Sequence, residues 1–283
     1  GNGYRESNNG NDIDDVILKT HWAPTDVDEF WLNFHYYDGR ADMPGGLTQA
    51  QYDSSPYQSL RDYDYFAGRR KDVSFKWQRQ LDDATQFEVL TYYTDSFRGS
   101  AIAARDMKTL SSYPRNYHTF AIEPRYSQLF DWGQVTHEIG VGYRYTNEAM
   151  HEQTLRNNKY NSRLWYTPYD SNPYGGPYVL SGNNTGSNEA HALYIDDTIN
   201  AGNWTITPGI RYERIRSQWE AHPSSTVVVK GPTQRREDYS KPLPSLNVIY
   251  HVSDALKLYA NAETSFGALQ YFQIGQKDST NQF

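Results

Sequence analysis

Val135-Thr136-His137-Glu138-Ile139-Gly140-Val141-Gly142-Tyr143-Arg144-Tyr145 alternates with a period of two. Val135, His137, Ile139, Val141, Tyr143 and Tyr145 fall on one face. Thr136, Glu138, Gly140, Gly142 and Arg144 fall on the other. Successive side chains of a strand point to opposite faces, so this is a strand with one apolar and one polar side. Glycines and charges opposite an apolar stripe suggest a crowded, polar interior rather than a greasy core.

The same pattern repeats outward in both directions. Upstream, Phe87 to Phe97 and Tyr117 to Phe130 read as strands flanking a polar loop that carries Arg98, Arg105 and Arg115, and Asp131-Trp132-Gly133 reads as a tight turn. Nearer the N-terminus, Asp15 to Trp22 and Val27 to Tyr37 form a hairpin about Ala23 to Asp26. A long polar segment, Asp38 to Arg70, precedes the strand of Val73, Phe75 and Trp77, and Asp82-Asp83 turns the chain. Downstream, Met150 to Asn188 reads as the longest loop. Leu193 to Ile199 returns, Ala201-Gly202-Asn203 turns, and Trp204 to Tyr212 follows. After a further loop from Gln218 to Ser240 come two strands, around Leu246 to Tyr250 and Leu256 to Ala260, joined at Ser253-Asp254. That makes about ten strands, with tight turns and long loops in strict alternation.

Composition narrows the class. Hydrophobic residues make up 37% of the 283, and no apolar run approaches the ~18 residues of a membrane helix. A membrane β-barrel escapes that test, because its strands alternate. The 25 tyrosines, 7 tryptophans and 11 phenylalanines suit strands and the aromatic girdles of outer-membrane barrels alike. A net charge of -7 gives no reason to expect nucleic acid as a partner. Without cysteine there is no disulfide, thiolate metal site or cysteine nucleophile. The first residues carry no signal-peptide pattern.

Periodicity alone leaves two architectures open. One is a secreted soluble β-sheet protein, a glycan-binding module whose apolar stripes form its core. The other is an antiparallel transmembrane β-barrel wall, all-β, with short periplasmic turns and long extracellular loops. The strict alternation of connection lengths, with Trp22, Trp132 and Trp204 near strand ends, favours the barrel.

Few constellations carry chemistry. The pairs Asp14-Asp15, Asp82-Asp83 and Asp196-Asp197 point to opposite faces of a strand and do not converge as an acid/base couple. His137-Glu138 lacks the second histidine of a zinc motif, and the 8 histidines have no ligand spacing. No catalytic residue, metal ligand or cofactor is expected. Arg98 and Arg115 stand at the two feet of their loop. If the flanking strands pair, both guanidiniums lie at one height near the lumen mouth, where such forks bind carboxylates. Each could equally pair with a loop acid such as Asp106 or face water.

Several stretches resemble the TonB-dependent ferric dicitrate transporters of Gram-negative outer membranes. They include Tyr37-Asp38-Gly39 with Ala41-Asp42-Met43-Pro44-Gly45-Gly46, Gly68-Arg69-Arg70-Lys71, Pro114-Arg115-Asn116-Tyr117 and Ile122-Glu123-Pro124-Arg125-Tyr126-Ser127-Gln128. Gly140 to Tyr145, Gly202 to Gly209 and Ser265-Phe266-Gly267 continue the likeness almost to the end of the chain. The resemblance implies a stretch from within the wall of a 22-stranded plugged barrel. Residues 1-283 would then be barrel domain, with the family's plug and TonB box outside this chain. It also implies uptake of ferric citrate or a related siderophore, driven by TonB through the plug, from a site in the outer-membrane lipid. Iron would be bound through the chelator, and no enzymatic step is implied. Arg98 and Arg115 match two family positions that hold the anionic chelate. A third family arginine follows a Pro-Tyr-Asp triplet. Here Pro168-Tyr169-Asp170 is followed by Ser171, with Arg156 and Arg163 nearby.

Overall fold

The computed structural model describes residues 5–160, 178–224, 234–269 and 273–274. Among them, 11 strands form one antiparallel sheet. In chain order these are β1 (Asn11–Trp22), β2 (Asp28–Asp42), β3 (Tyr65–Asp82), β4 (Thr85–Ala103), β5 (Leu110–Ser112) and β6 (Arg115–Trp132). β7 (Val135–Asn157), β8 (Tyr178–Ala201), β9 (Trp204–Ala221), β10 (Gln234–Ser253) and β11 (Leu256–Glu263) complete the sheet. A short helix, α1 (Gln49–Ser54), interrupts the β2–β3 connection and is capped by Thr48 and Gln51.

The sheet is a meander in which sequence neighbours pair. β6 lies between β4 and β7, and β5 takes the same place further from the tight turns. The turns collect at one end. Gly133 (φ 67°) and Gly202 (φ 58°) supply the left-handed residue that two of them need.

The strands run further than their alternation predicts. β2 continues to Asp42, β3 starts at Tyr65, β4 reaches Ala103, β7 reaches Asn157, β8 starts at Tyr178 and β10 at Gln234. All of these ends were expected to be loop. β5 is a further strand inside the segment read as a polar loop. The reason is backbone pairing. Once a neighbouring strand is present, continuing the ladder satisfies every N–H and C=O whatever the side chains are. Stretches such as Gly182-Asn183-Asn184-Thr185-Gly186 therefore extend as strand without an apolar stripe.

Large apolar side chains cover one face. Val141, Ile195 and Ile210 form one cross-strand row, and Leu32, Phe34, Phe75, Phe120, Ile122 and Leu193 extend the surface. All are substantially exposed, and among the described residues no second sheet covers them. This removes the soluble sandwich, in which the same stripes would be core. Soluble monomers rarely expose more than a few hundred Å² of continuous apolar surface. In a bilayer that face meets acyl chains. Trp22, Trp132 and Trp204 stand exposed at the turn end, as an interfacial girdle requires.

The opposite face is polar and locally crowded. The Tyr194 hydroxyl donates to Glu123 Oε1 at 2.6 Å, and Arg144 Nη2 donates to the Tyr92 hydroxyl at 2.5 Å. The Tyr194 ring lies directly over Gly142, where an added Cβ would overlap it. Gly142→Ala should therefore push Tyr194 off Glu123 and cost about 1–3 kcal/mol. A fall in the thermal midpoint of the assembled barrel is the expected result, and an unchanged midpoint would contradict this packing.

Candidate functional site

Arg98 and Arg115 are direct cross-strand partners of β4 and β6. They share the face of Tyr92, Thr94 and Glu123, opposite Tyr93, Phe120 and Ile122. Both therefore belong to the polar, lumen side. They lie on a single row that crosses six strands: Asn184, Glu152, Arg115, Arg98, Gly68 and Gly39.

Like charges directly opposite on a strand pair are unfavourable. The row compensates only one of them. Glu152 Oε2 lies 3.2 Å from Arg115 Nε, and Asn184 Nδ2 donates to Glu152 Oε1 at 3.2 Å. Arg98 instead rests over the Phe66 ring, 5.5 Å from its centroid. It has no acidic partner among the described residues. Deeper on the same face the arrangement differs. Arg70 pairs with Asp72, Arg125 with Asp196, Arg144 with Glu123 and Arg211 with Glu213.

Beside Arg98 on the row stands Gly68, with no side chain of its own. A Cβ there would sit in ordinary van der Waals contact with Phe66, Tyr37 and the Phe97 carbonyl, each at 3.9 Å. Arg98 and Arg115 thus lie side by side on the row, with the Phe66 ring under Arg98 and Tyr37 beside Gly68. Planar guanidiniums there can present paired N–H donors to carboxylate oxygens.

The strand ends that carry this row are braced on the other face. Tyr65, Ala101, Leu110 and Leu155 form a buried cluster, joined by Tyr63, Ala67, Tyr160 and Leu180. Buried Asp64 pairs with Arg61 at 2.8 Å and accepts the Ala103 N–H at 2.9 Å. The Tyr63 N–H donates to the Tyr160 hydroxyl at 3.1 Å. Burial raises the pKa of that hydroxyl above the usual tyrosine value, and Asp64 and Asp62 add to the effect. It stays neutral and holds the β2–β3 connection against the segment just past the end of β7.

The sequence offered Asp106 as a partner for these arginines. Asp106 instead accepts the Lys108 N–H, and the acid beside Arg115 is Glu152. Glu152, Phe66, Gly68 and Tyr37 were not legible as site residues, because only the strand register brings them to Arg98. Arg156 is exposed on the lumen-side parity of β7, roughly 13 Å beyond Glu152 by strand rise. Arg163 and Ser171 lie outside the described residues. Among the described residues, no three His, Asp or Glu side chains converge as a metal site.

A single-layer antiparallel wall, apolar outside and polar inside, with tight turns at one end, defines an outer-membrane β-barrel wall. The sequence matches the family model described as TonB dependent receptor-like, beta-barrel, over residues 21–282. The chain belongs to the TonB-dependent receptors, which are Gram-negative outer-membrane proteins. It is similar to the ferric citrate transporter FecA in its unliganded form, at 42% identity and a TM-score of 0.86. That match covers 99% of this chain and 40% of FecA, so the chain spans about two fifths of its relative. The ferric-catecholate import receptor Fiu from E. coli K12, in its closed form, shares the fold at 13% identity and TM-score 0.69, over 93% of this chain and 44% of that one. A copper transporter, OprC, shares it at 12% identity and TM-score 0.54, over 89% of this chain and 36% of that one. The fold alone therefore does not specify a cargo.

Proposed function

We propose that this chain is barrel wall from a TonB-dependent transporter that takes up a ferric carboxylate chelate, ferric citrate first among them. The observation that carries the proposal is the Arg98–Arg115 pair on the lumen face, with only Arg115 matched by a carboxylate among the described residues. The 42% identity to a ferric citrate transporter supports the choice of cargo. A related carboxylate siderophore would use the same two guanidiniums.

In this reading the iron is cargo. Its chelator fills the metal's coordination sphere, and the protein touches the chelate's negative oxygens. Ligand binds at the mouth, the long loops close over it, and TonB, acting on a plug in the full-length protein, opens the path. No covalent step is needed. Cells lacking their own ferric citrate receptor should accumulate radioiron from ferric citrate when they express the full-length protein. Accumulation from a ferric catecholate but not from ferric citrate would reject the proposal.

A further inference from the structure

We infer that Glu152 is a built-in counter-anion of the Arg98–Arg115 site, which the ligand's own carboxylate displaces from Arg115; this rests on the two arginines being ligand contacts. The geometry is specific. Glu152 is the direct register partner of Arg115 on β7, and Asn184 is the direct partner of Glu152 on β8. The two carboxylate oxygens are divided, Oε2 toward Arg115 and Oε1 toward Asn184. The Glu152 side chain is 19% exposed and Arg115 is 36% exposed, so the acid is the more enclosed partner.

Two consequences follow. Without ligand, one acid offsets one of two adjacent like charges, which relieves the repulsion within the row. With ligand, a chelate carboxylate competes with Glu152 for the same guanidinium, while Asn184 keeps its hydrogen bond to the Glu152 oxygen it already holds. Arg98 has no such competitor among the described residues and binds without an exchange. The site then discriminates by charge. A multiply charged carboxylate chelate can displace Glu152, and a weakly anionic ligand cannot.

Glu152→Gln tests this in the full-length transporter, because glutamine keeps the shape and the Asn184 contact but gives up the charge. Ferric dicitrate is the probe, with iron-free citrate as the second ligand. Binding of both should tighten, iron-free citrate about tenfold and ferric dicitrate by less, so that ferric dicitrate loses part of its advantage over citrate. Placed in an Arg115→Ala background, Glu152→Gln should lose most of that gain, since its effect runs through Arg115. Unchanged or weaker binding by Glu152→Gln would overturn the inference, as would a gain of the same size without Arg115. If Glu152→Gln does not assemble, Glu152→Asp decides. Its shorter side chain withdraws from Arg115, so a smaller tightening supports the inference and none overturns it. Failure of the underlying site reading looks different: Arg98→Ala and Arg115→Ala would then leave ferric dicitrate binding unaltered.

Discussion

Replacing Arg98 and Arg115 together by alanine is expected to abolish ferric citrate binding by the full-length transporter while the barrel still assembles. A hydrogen bond to a charged group is worth about 1.5–3 kcal/mol. Two such contacts amount to roughly 3–6 kcal/mol, or on the order of 10²–10⁴ in affinity. Assembly should survive because neither side chain packs into the buried cluster. The two replacements also remove a like-charge pair from one row of the sheet. The single variants should differ. Arg98→Ala should cost more than Arg115→Ala, because Arg115 must first leave Glu152 and gains less on binding. Titration of purified transporter with ferric dicitrate, alongside heat-modifiable migration as a check of folding, measures both. Unchanged affinity in the double variant would reject the site.

The second large effect concerns the other face. Ile195 lies between Val141 and Ile210 on the apolar surface. Counted from the Ala201 turn, it falls roughly midway along the ~10 residues that a strand needs to cross the hydrocarbon. Ile195→Arg should cost about 2–4 kcal/mol there. It should lower the fraction of protein that inserts into lipid vesicles and resists unfolding in detergent. Ile195→Met, close in volume and equally apolar, should insert as the parent does. Equal insertion of the arginine variant would mean that this face does not meet lipid.

The fold was largely legible in the sequence, and for a physical reason. A wall that separates acyl chains from a polar lumen must alternate at every residue, so runs such as Val135 to Tyr145 declare both faces at once. The tight turns were legible too, since Gly133 and Gly202 stand where the backbone turns left-handed. The far ends of the strands were not. Beyond the membrane neither face is required to be apolar, and backbone pairing extends β7 and β8 through polar, glycine- and asparagine-rich sequence. Leu110 and Leu155 show the same limit. Both are fully buried, yet each is a lone apolar residue in a polar stretch.

The candidate site divides along the same line. Arg98 and Arg115 drew notice because they flank a loop, and pairing of β4 with β6 places them side by side. Glu152, Asn184 and Gly68 join them through register alone, and register between distant strands is not written in any local pattern.

The most direct test of the account is a structure of the full-length transporter bound to ferric dicitrate. The account predicts chelate carboxylate oxygens within hydrogen-bond distance of both the Arg98 and Arg115 guanidiniums. A chelate bound elsewhere in the mouth, with Arg115 still on Glu152 and Arg98 still over Phe66, would contradict it.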